Sequence, residues 1–313
     1  MKIYILMPTY NDSDSIVETL DSIITQKYKN WELIIINDGS IDNTESIIKR
    51  YIKEKKISKK VIYLYQKNKD QLNAIKNGVK QIKDKDSLVY ILHSDDLLVD
   101  NLVFERVNNY FQNHEYDAIT ADLKLINEKS ELIGYQRIKN YKKRISTCAL
   151  QELWLGRQLF IDFAFWKYSA FMTSVYQNYL NWNMPYWLTI YPNLDMMNVK
   201  KANFPFIKYR VYPGNYINSE IGVLNVLNGE LRTLIGLMHY INVPFYIFQY
   251  YVFRILNKLK INYIPIYSKT SNKKKYKIIK FTIRKRIKNI AKYPYYISIL
   301  NFFLVKKTHY RIQ

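Results

Sequence analysis

The 313-residue chain contains one cysteine, Cys148, so no intrachain disulfide is possible. A single thiol is usually a small core hydrophobe, and its isolation fits a reducing compartment. Glycine and proline number only 8 each, which argues against a long flexible linker. No segment recurs at a fixed period, so a solenoid or other repeat array is not expected. The opening apolar run ends at Pro8 with polar residues directly behind it. It is too short for a secretory leader and lacks a small-residue cleavage site, so no signal peptide is expected.

Acidic residues are absent after Glu230, where 18 of the 48 Lys and Arg lie. The first 230 residues are nearly balanced, with 30 basic against 26 acidic. The formal net charge of +22 is therefore concentrated in the last quarter. That asymmetry suggests a polyanionic partner surface, either anionic lipid or nucleic acid. Thr233–Phe253 is uncharged and long enough to cross a bilayer, but it holds His239, Asn242, Pro244 and Gln249. A helix in the membrane interface, or a buried one, is expected in preference to a spanning one. From Lys273 to Arg286 basic residues alternate with apolar and aromatic ones. Segments of that kind lie on anionic headgroups.

What is present is apolar: 48% of residues are hydrophobic, enough for a substantial core. Residues 2–7, Trp31–Ile36, Val61–Tyr65 and Ser87–Leu92 read as buried strands. Between them lie helical patterns. Ile16, Leu20, Ile23 and Ile24 mark the first, with Asp12 or Ser13 as its cap. Ile47, Ile48, Tyr51 and Ile52 mark the second, and Leu72, Ile75, Val79 and Ile82 the third. Strand–helix alternation of this kind implies a parallel sheet covered by helices. Residues 97–220 are less regular, with strand-like stretches at Ala118–Ile126 and Phe206–Tyr212. The aromatic stretch from Phe160 to Trp187 reads as core first and as an acceptor pocket second.

Polar clusters fall at the C-terminal ends of the predicted strands, where open α/β sheets bind ligands. Asp95 and Asp96 follow the fourth strand and suit a hard divalent cation. Alternatively, Asp95 caps a helix beginning at Asp96-Leu97-Leu98. Asp38 ends the second strand, where it can accept from the N–H edge of a nucleobase or serve as a turn residue. Tyr10 can lay its ring against a base or ribose.

Met7-Pro8-Thr9-Tyr10-Asn11, Trp31 to Thr44, Asp70 to Val79 and Leu92-His93-Ser94-Asp95-Asp96, in this order and spacing, resemble glycosyltransferase family 2. The resemblance covers the first third of the chain. It implies a GT-A fold, a nucleoside-diphosphate sugar donor and inversion at the anomeric carbon. It places Pro8, Thr9, Tyr10, Asp38, Asn73, Ser94 and Asp96 around the donor. Asp95 would hold Mn²⁺ or Mg²⁺, with His93 as a further ligand or a pocket residue. Two positions depart from the family pattern: Asn37 and His93 each stand where Asp is usual. The second change removes a negative charge near the diphosphate.

Tyr209-Arg210-Val211-Tyr212-Pro213-Gly214 resembles the segment that closes many of these catalytic domains. The family's general base precedes it by some fifteen residues. Asp195, 14 before Tyr209, is the candidate base, and Asp162 is the runner-up.

These readings combine into one expectation. The fold class is α/β: GT-A, a single Rossmann-like, doubly wound, mostly parallel sheet with a basic helical C-terminal extension. Residues 1–220 form the catalytic domain, with 1–97 the nucleotide half and 98–220 the acceptor half; residues 221–313 associate with membrane. The expected activity is inverting transfer from a nucleoside-diphosphate sugar, with a UDP-sugar favoured, to a hydroxyl of a glycan or lipid-linked glycan. The setting is bacterial surface polysaccharide synthesis, such as O-antigen or capsule. The protein would be cytoplasmic, peripheral on the inner face of the cell membrane, and no nucleic acid partner is expected. A nucleic-acid-binding protein using the basic tail is one alternative. A nucleotidyltransferase is another, although the loop after the first strand lacks that class's Gly-rich, basic character.

Overall fold

Strand β1 (Ile3–Thr9) is buried at every position, which explains its unbroken apolar run. In the computed structural model residues 1–138, 161–176 and 197–212 are described, and all lie within one compact unit, Met1–Ile247. β1 pairs in parallel with β2 (Trp31–Asn37) on one side and with β4 (Leu88–Ile91) on the other. β2 pairs in parallel with β3 (Val61–Tyr65). Beyond β4 come β9 (Phe165–Lys167), β6 (Ala118–Thr120) and β10 (Val199–Lys201), completing a seven-stranded sheet. β9 runs antiparallel to both of its neighbours, so the sheet is mixed and mostly parallel.

The helices follow from periodicity. In α1 (Ile16–Ile24) the buried residues are Ile16, Thr19, Leu20 and Ile23, one face at helical spacing. α2 (Thr44–Glu54) buries Ile48 and Tyr51. α3 (Gln71–Val79) lies on β1 and β2 and is capped by Asp70, whose side chain accepts from the Asn73 N–H. Its close approach depends on Gly78, where a Cβ would sit 2.7 Å from Ile36 Cδ1. Each fully buried Ile or Leu of this core is worth roughly 1.5–3 kcal/mol relative to exposure.

Three readings need correction. Neither Asp12 nor Ser13 caps α1 with its side chain; Ser15 occupies the cap position without a side-chain bond. Asp12 is engaged elsewhere, as described below. No helix starts at Asp96: Leu97–Leu98 is the short strand β5, and α4 (Val103–Asn113) begins later. Ala118–Ile126 is two strands rather than one. Its second half, β7 (Leu123–Ile126), joins β5, β8 (Leu132–Gln136) and β11 (Ile207–Arg210) in a separate four-stranded sheet. The break falls at Ala121-Asp122, where the Asp122 carboxylate pairs with Lys201 at 2.7 Å and accepts from the Ile138 N–H at 2.8 Å. The described chain thus has two sheets instead of one. Finally, α5 (Tyr168–Tyr176) packs on β9.

Among the described residues no helix is long and apolar enough to cross a membrane. Thr233–Phe253, Lys273–Arg286 and the whole of 221–313 lie outside the described residues.

Candidate functional site

The strand order β3-β2-β1-β4 reverses direction at β1, which makes the β1–β4 gap a topological switch point. The loops leaving β1, β2 and β4 meet there. Thr9 is buried at the end of β1, and Tyr10 follows, 45% exposed. Asn11 adopts left-handed backbone, φ 56°, and interlocks with the second loop. Its N–H donates to Ser40 Oγ at 3.0 Å, and its side-chain oxygen accepts from the Ile41 N–H at 2.9 Å.

Asp12 is a member of this site that sequence reasoning treated only as a helix cap. Its carboxylate accepts from the Tyr10 N–H at 3.0 Å and from the Ser94 hydroxyl. Burial pushes Asp12 up to about 6, and the charge of Asp95 adds to the rise. Ser94, expected beside the donor, is buried and binds the β4 loop to the β1 loop. Its hydroxyl also lies 3.3 Å from the Pro8 carbonyl, and its own carbonyl accepts from Thr19 Oγ1 at 2.8 Å. The signal for Asp12 was its place directly after Tyr10 and Asn11.

Asp38 is 5% exposed and organises the loop after β3. Its Oδ1 accepts from Gln66 Nε2 at 2.7 Å and from the Lys69 N–H at 3.0 Å; its Oδ2 accepts from the Asp70 N–H at 3.1 Å. Gly39, at φ +77°, brings the turn against that loop, and a Cβ there would meet the Asn68 nitrogen at 2.8 Å. Asn37, which replaces the usual Asp, holds the turn by accepting from the Ser40 N–H at 2.8 Å, and it donates to the Tyr63 hydroxyl at 2.9 Å.

His93, Asp95 and Asp96 each offer a ligand atom, and these atoms lie within 4.8 Å of one another. His93 Nδ1 is 4.0 Å from Asp96 Oδ2, and its Nε2 is 3.4 Å from Gln71 Nε2. Burial lowers His93 to about 4, which leaves a neutral imidazole suited to ligating a metal. Asp95 is raised by burial, opposed by the nearby Arg210 charge and a hydrogen bond from Tyr212. Asp96 is fully buried and raised well above the usual range, first by burial and then by the charge of Asp95. Its Oδ1 accepts from the Arg210 N–H at 2.8 Å, whereas its Oδ2 is buried with no hydrogen-bond donor. A buried carboxylate oxygen without a donor is costly, and a divalent cation beside it removes that cost. The donor set, two carboxylates and a neutral imidazole, therefore fits Mn²⁺ or Mg²⁺.

Arg210, a buried residue, locks this arrangement. Its Nε donates to the Asp95 carbonyl at 2.8 Å, and Nη1 to the Glu128 carbonyl at 2.8 Å. Nη2 donates to Glu18 at 2.8 Å and to Ser130 at 3.0 Å. The resemblance had marked the segment but given Arg210 no role.

Asn73, expected at the nucleotide, has its amide engaged with the Asp70 carboxylate at 2.9 Å and the Lys69 carbonyl at 3.3 Å. Asp162 lies in a 3-10 turn, Ile161–Phe163, beside the acidic loop. Phe163 packs its ring on His93 at 5.7 Å and on Tyr209 at 5.3 Å. Burial pushes Asp162 up to about 7. Asp195 lies outside the described residues.

Residues 4–180 match the family described as glycosyl transferase family 2. The chain is 33% identical over 134 residues to a poly-beta-1,6-N-acetyl-D-glucosamine synthase of Staphylococcus epidermidis, spanning 43% of this chain and 31% of that one. It is 34% identical over 127 residues to an uncharacterized glycosyltransferase of Rickettsia prowazekii, spanning 40% and 37%. The matches thus span only 31% and 37% of the relatives' own lengths. Among solved structures, S. aureus TarS 1-349 in complex with UDP-GlcNAc superposes with a TM-score of 0.53 at 13% identity, covering 77% of this chain and 73% of that one. The mannosyltransferase PcManGT of Pyrobaculum calidifontis, in complex with GDP-Man and Mn2+, superposes at 0.52 and 13% identity, covering 74% and 64%. The fold resembles the GT-A structures, and the chain belongs to glycosyltransferase family 2.

Proposed function

We propose that the chain transfers a sugar, with inversion, from a nucleoside-diphosphate sugar seated in the β1–β4 crevice to an acceptor hydroxyl. The observation that carries this reading is the buried, donorless Asp96 Oδ2 beside Asp95 and His93 at the switch point. Tyr10 offers an exposed ring for the base, with Pro8 and Thr9 beneath it. Asp38 retains acceptor capacity on Oδ2, which takes a single main-chain N–H. A UDP-sugar is the favoured donor; TarS was solved with UDP-GlcNAc, and PcManGT with GDP-Man.

His93, Asp95 and Asp96 would hold Mn²⁺ or Mg²⁺, which when bound supplies positive charge against the diphosphate. Attack by the acceptor hydroxyl on the anomeric carbon requires a carboxylate to take its proton, a contribution of about 10²–10⁴ in rate. We assign that role to Asp195, with Asp162 the second candidate. Arg210, through the Asp95 carbonyl and the Asp96 carboxylate, keeps the acidic loop in register.

The acceptor we propose is a glycan or lipid-linked glycan of a bacterial surface polymer. The basic 221–313 segment would hold the enzyme on the cytoplasmic face of the membrane. The experiment is release of nucleoside diphosphate from a panel of UDP-, GDP- and dTDP-sugars. Wild type is expected to turn over one class with Mn²⁺, Asp195→Asn to bind the same donor without turnover, and Asp162→Asn to keep turnover. Retained turnover in Asp195→Asn with loss in Asp162→Asn would move the base to Asp162.

A further inference from the structure

A groove of about 550 Å³ lies beside the donor crevice, lined by Gln66, Lys67, Lys69, Asn73, Lys76, Asn77 and Lys80. Only Asn73 among these belongs to the expected donor set, and its amide is turned to Asp70 and Lys69. The groove has four lysines and three amides and no carboxylate among its lining residues.

Several surface cations elsewhere in the described residues have acidic partners. Lys2 pairs with Glu32, Lys49 with Glu45, Arg106 with Asp100 and Lys201 with Asp122. No salt bridge among the described residues involves Lys67, Lys69, Lys76 or Lys80. Asp70, the acid nearest Lys67 and Lys69 in sequence, spends its carboxylate on the Asn73 N–H and amide, and Asp84, the acid nearest Lys80, accepts from the Asp86 N–H. Four lysines lining one concavity concentrate positive charge there, and an anion seated in it offsets that charge. α2, by contrast, carries i,i+4 acidic partners in Glu45–Lys49 and Arg50–Glu54. The groove wall is also fixed. Asn77 Nδ2 donates to Gln66 Oε1 at 3.2 Å, and Gln66 in turn donates to Asp38. Gly39 packs against the main chain of Gln66 and Asn68.

We propose that this groove is a second anion site that takes a phosphate group, separate from the donor diphosphate. Lysine is a point-charge phosphate ligand, and Asn73 and Asn77 stand beside the lysines as polar lining. The same phosphate chemistry is presented by a free phosphate and by a phospholipid headgroup. The site needs no donor bound, so it stands or falls apart from the proposed transfer.

The test uses the full chain with the charge reversals Lys76→Glu and Lys80→Glu together, and a Lys76→Gln, Lys80→Gln pair to separate charge from folding. Inorganic phosphate binding is followed by calorimetry at fixed ionic strength, and vesicle binding by co-sedimentation with phosphatidylglycerol vesicles. Wild type should bind, with affinity falling as NaCl is raised. The reversal should weaken binding at least tenfold in at least one arm, with the neutral pair intermediate. Weakening for vesicles alone assigns a headgroup, and weakening for free phosphate assigns a soluble ligand. Unchanged binding in both arms would overturn the proposal. So would loss of the Mn²⁺-dependent nucleotide shift in the reversed variant, since the groove would then be part of the donor pocket.

Discussion

The main-chain N–H of Arg210 donates to Asp96 Oδ1 at 2.8 Å and leaves the other carboxylate oxygen buried with no donor. Without a cation, burial and the Asp95 charge favour the protonated form of Asp96. Asp96→Asn mimics that form. The variant is expected to be at least as stable as wild type in EDTA and to lose the stabilisation that Mn²⁺ gives wild type. Melting temperatures with EDTA and with Mn²⁺ check this; a full Mn²⁺ increment in the variant would remove Asp96 from the site.

Arg210→Ala deletes a buried guanidinium that joins the acidic loop, the Asn127–Ser130 turn and Glu18. Its charged partner Glu18 is half-exposed, so the cost is that of buried carbonyls left without a donor, about 1–3 kcal/mol. Urea unfolding should report a loss of that size. Arg210→Lys should recover only part, because one ammonium cannot reach all of these acceptors.

Gly39→Ala forces a side chain onto positive φ, at about 1–2 kcal/mol, and drives a Cβ against the Asn68 nitrogen. Gly134, where nothing lies within 4 Å of an added Cβ, is the control. Gly39→Ala should lower both stability and nucleoside-diphosphate affinity, while Gly134→Ala should change neither measurably. Equal behaviour of the two would mean that the Asp38 turn does not shape the pocket.

Burial pushes Asp162 up to about 7, above its unfolded value near 4. The folded state therefore binds a proton more tightly between those limits, and wild-type stability falls as pH rises from about 4 to 7. Asp162→Asn stays neutral throughout. Its melting temperature should exceed that of wild type at pH 8 by about 2–4 °C for each kcal/mol relieved, and the gap should close near pH 4. A pH-independent gap would contradict the assigned environment.

The nucleotide half was legible because its elements are long and locally patterned. β1 and β2 are predominantly apolar runs, and α1 to α3 carry their buried residues at helical spacing. The second sheet was not legible: β5 has two residues, and its partner β11 lies more than a hundred positions away. Pairing of that kind leaves no local period to read. At the site, Asp38, Asp95 and Asp96 stood out by their place at strand ends. Asp12 did not, because an Asp before a helix has a simpler use as a cap, and only the fold shows its carboxylate turned to Tyr10 and Ser94. Arg210 was visible as part of a motif, but its partners Glu18, Glu128 and Ser130 come from distant segments.

The central claim is that the β1–β4 crevice binds a nucleoside diphosphate with a cation held at His93, Asp95 and Asp96. The most direct measurement is the melting temperature of the full chain against UDP, GDP and dTDP, each with and without Mn²⁺. A ligand that binds only the folded state stabilises it by about 2.7 kcal/mol at a hundred times its Kd. The account predicts a Mn²⁺-dependent rise with one of the three, UDP favoured, and loss of the Mn²⁺ dependence in Asp95→Ala. No rise with any nucleotide, or an undiminished Mn²⁺-dependent rise in Asp95→Ala, would contradict it.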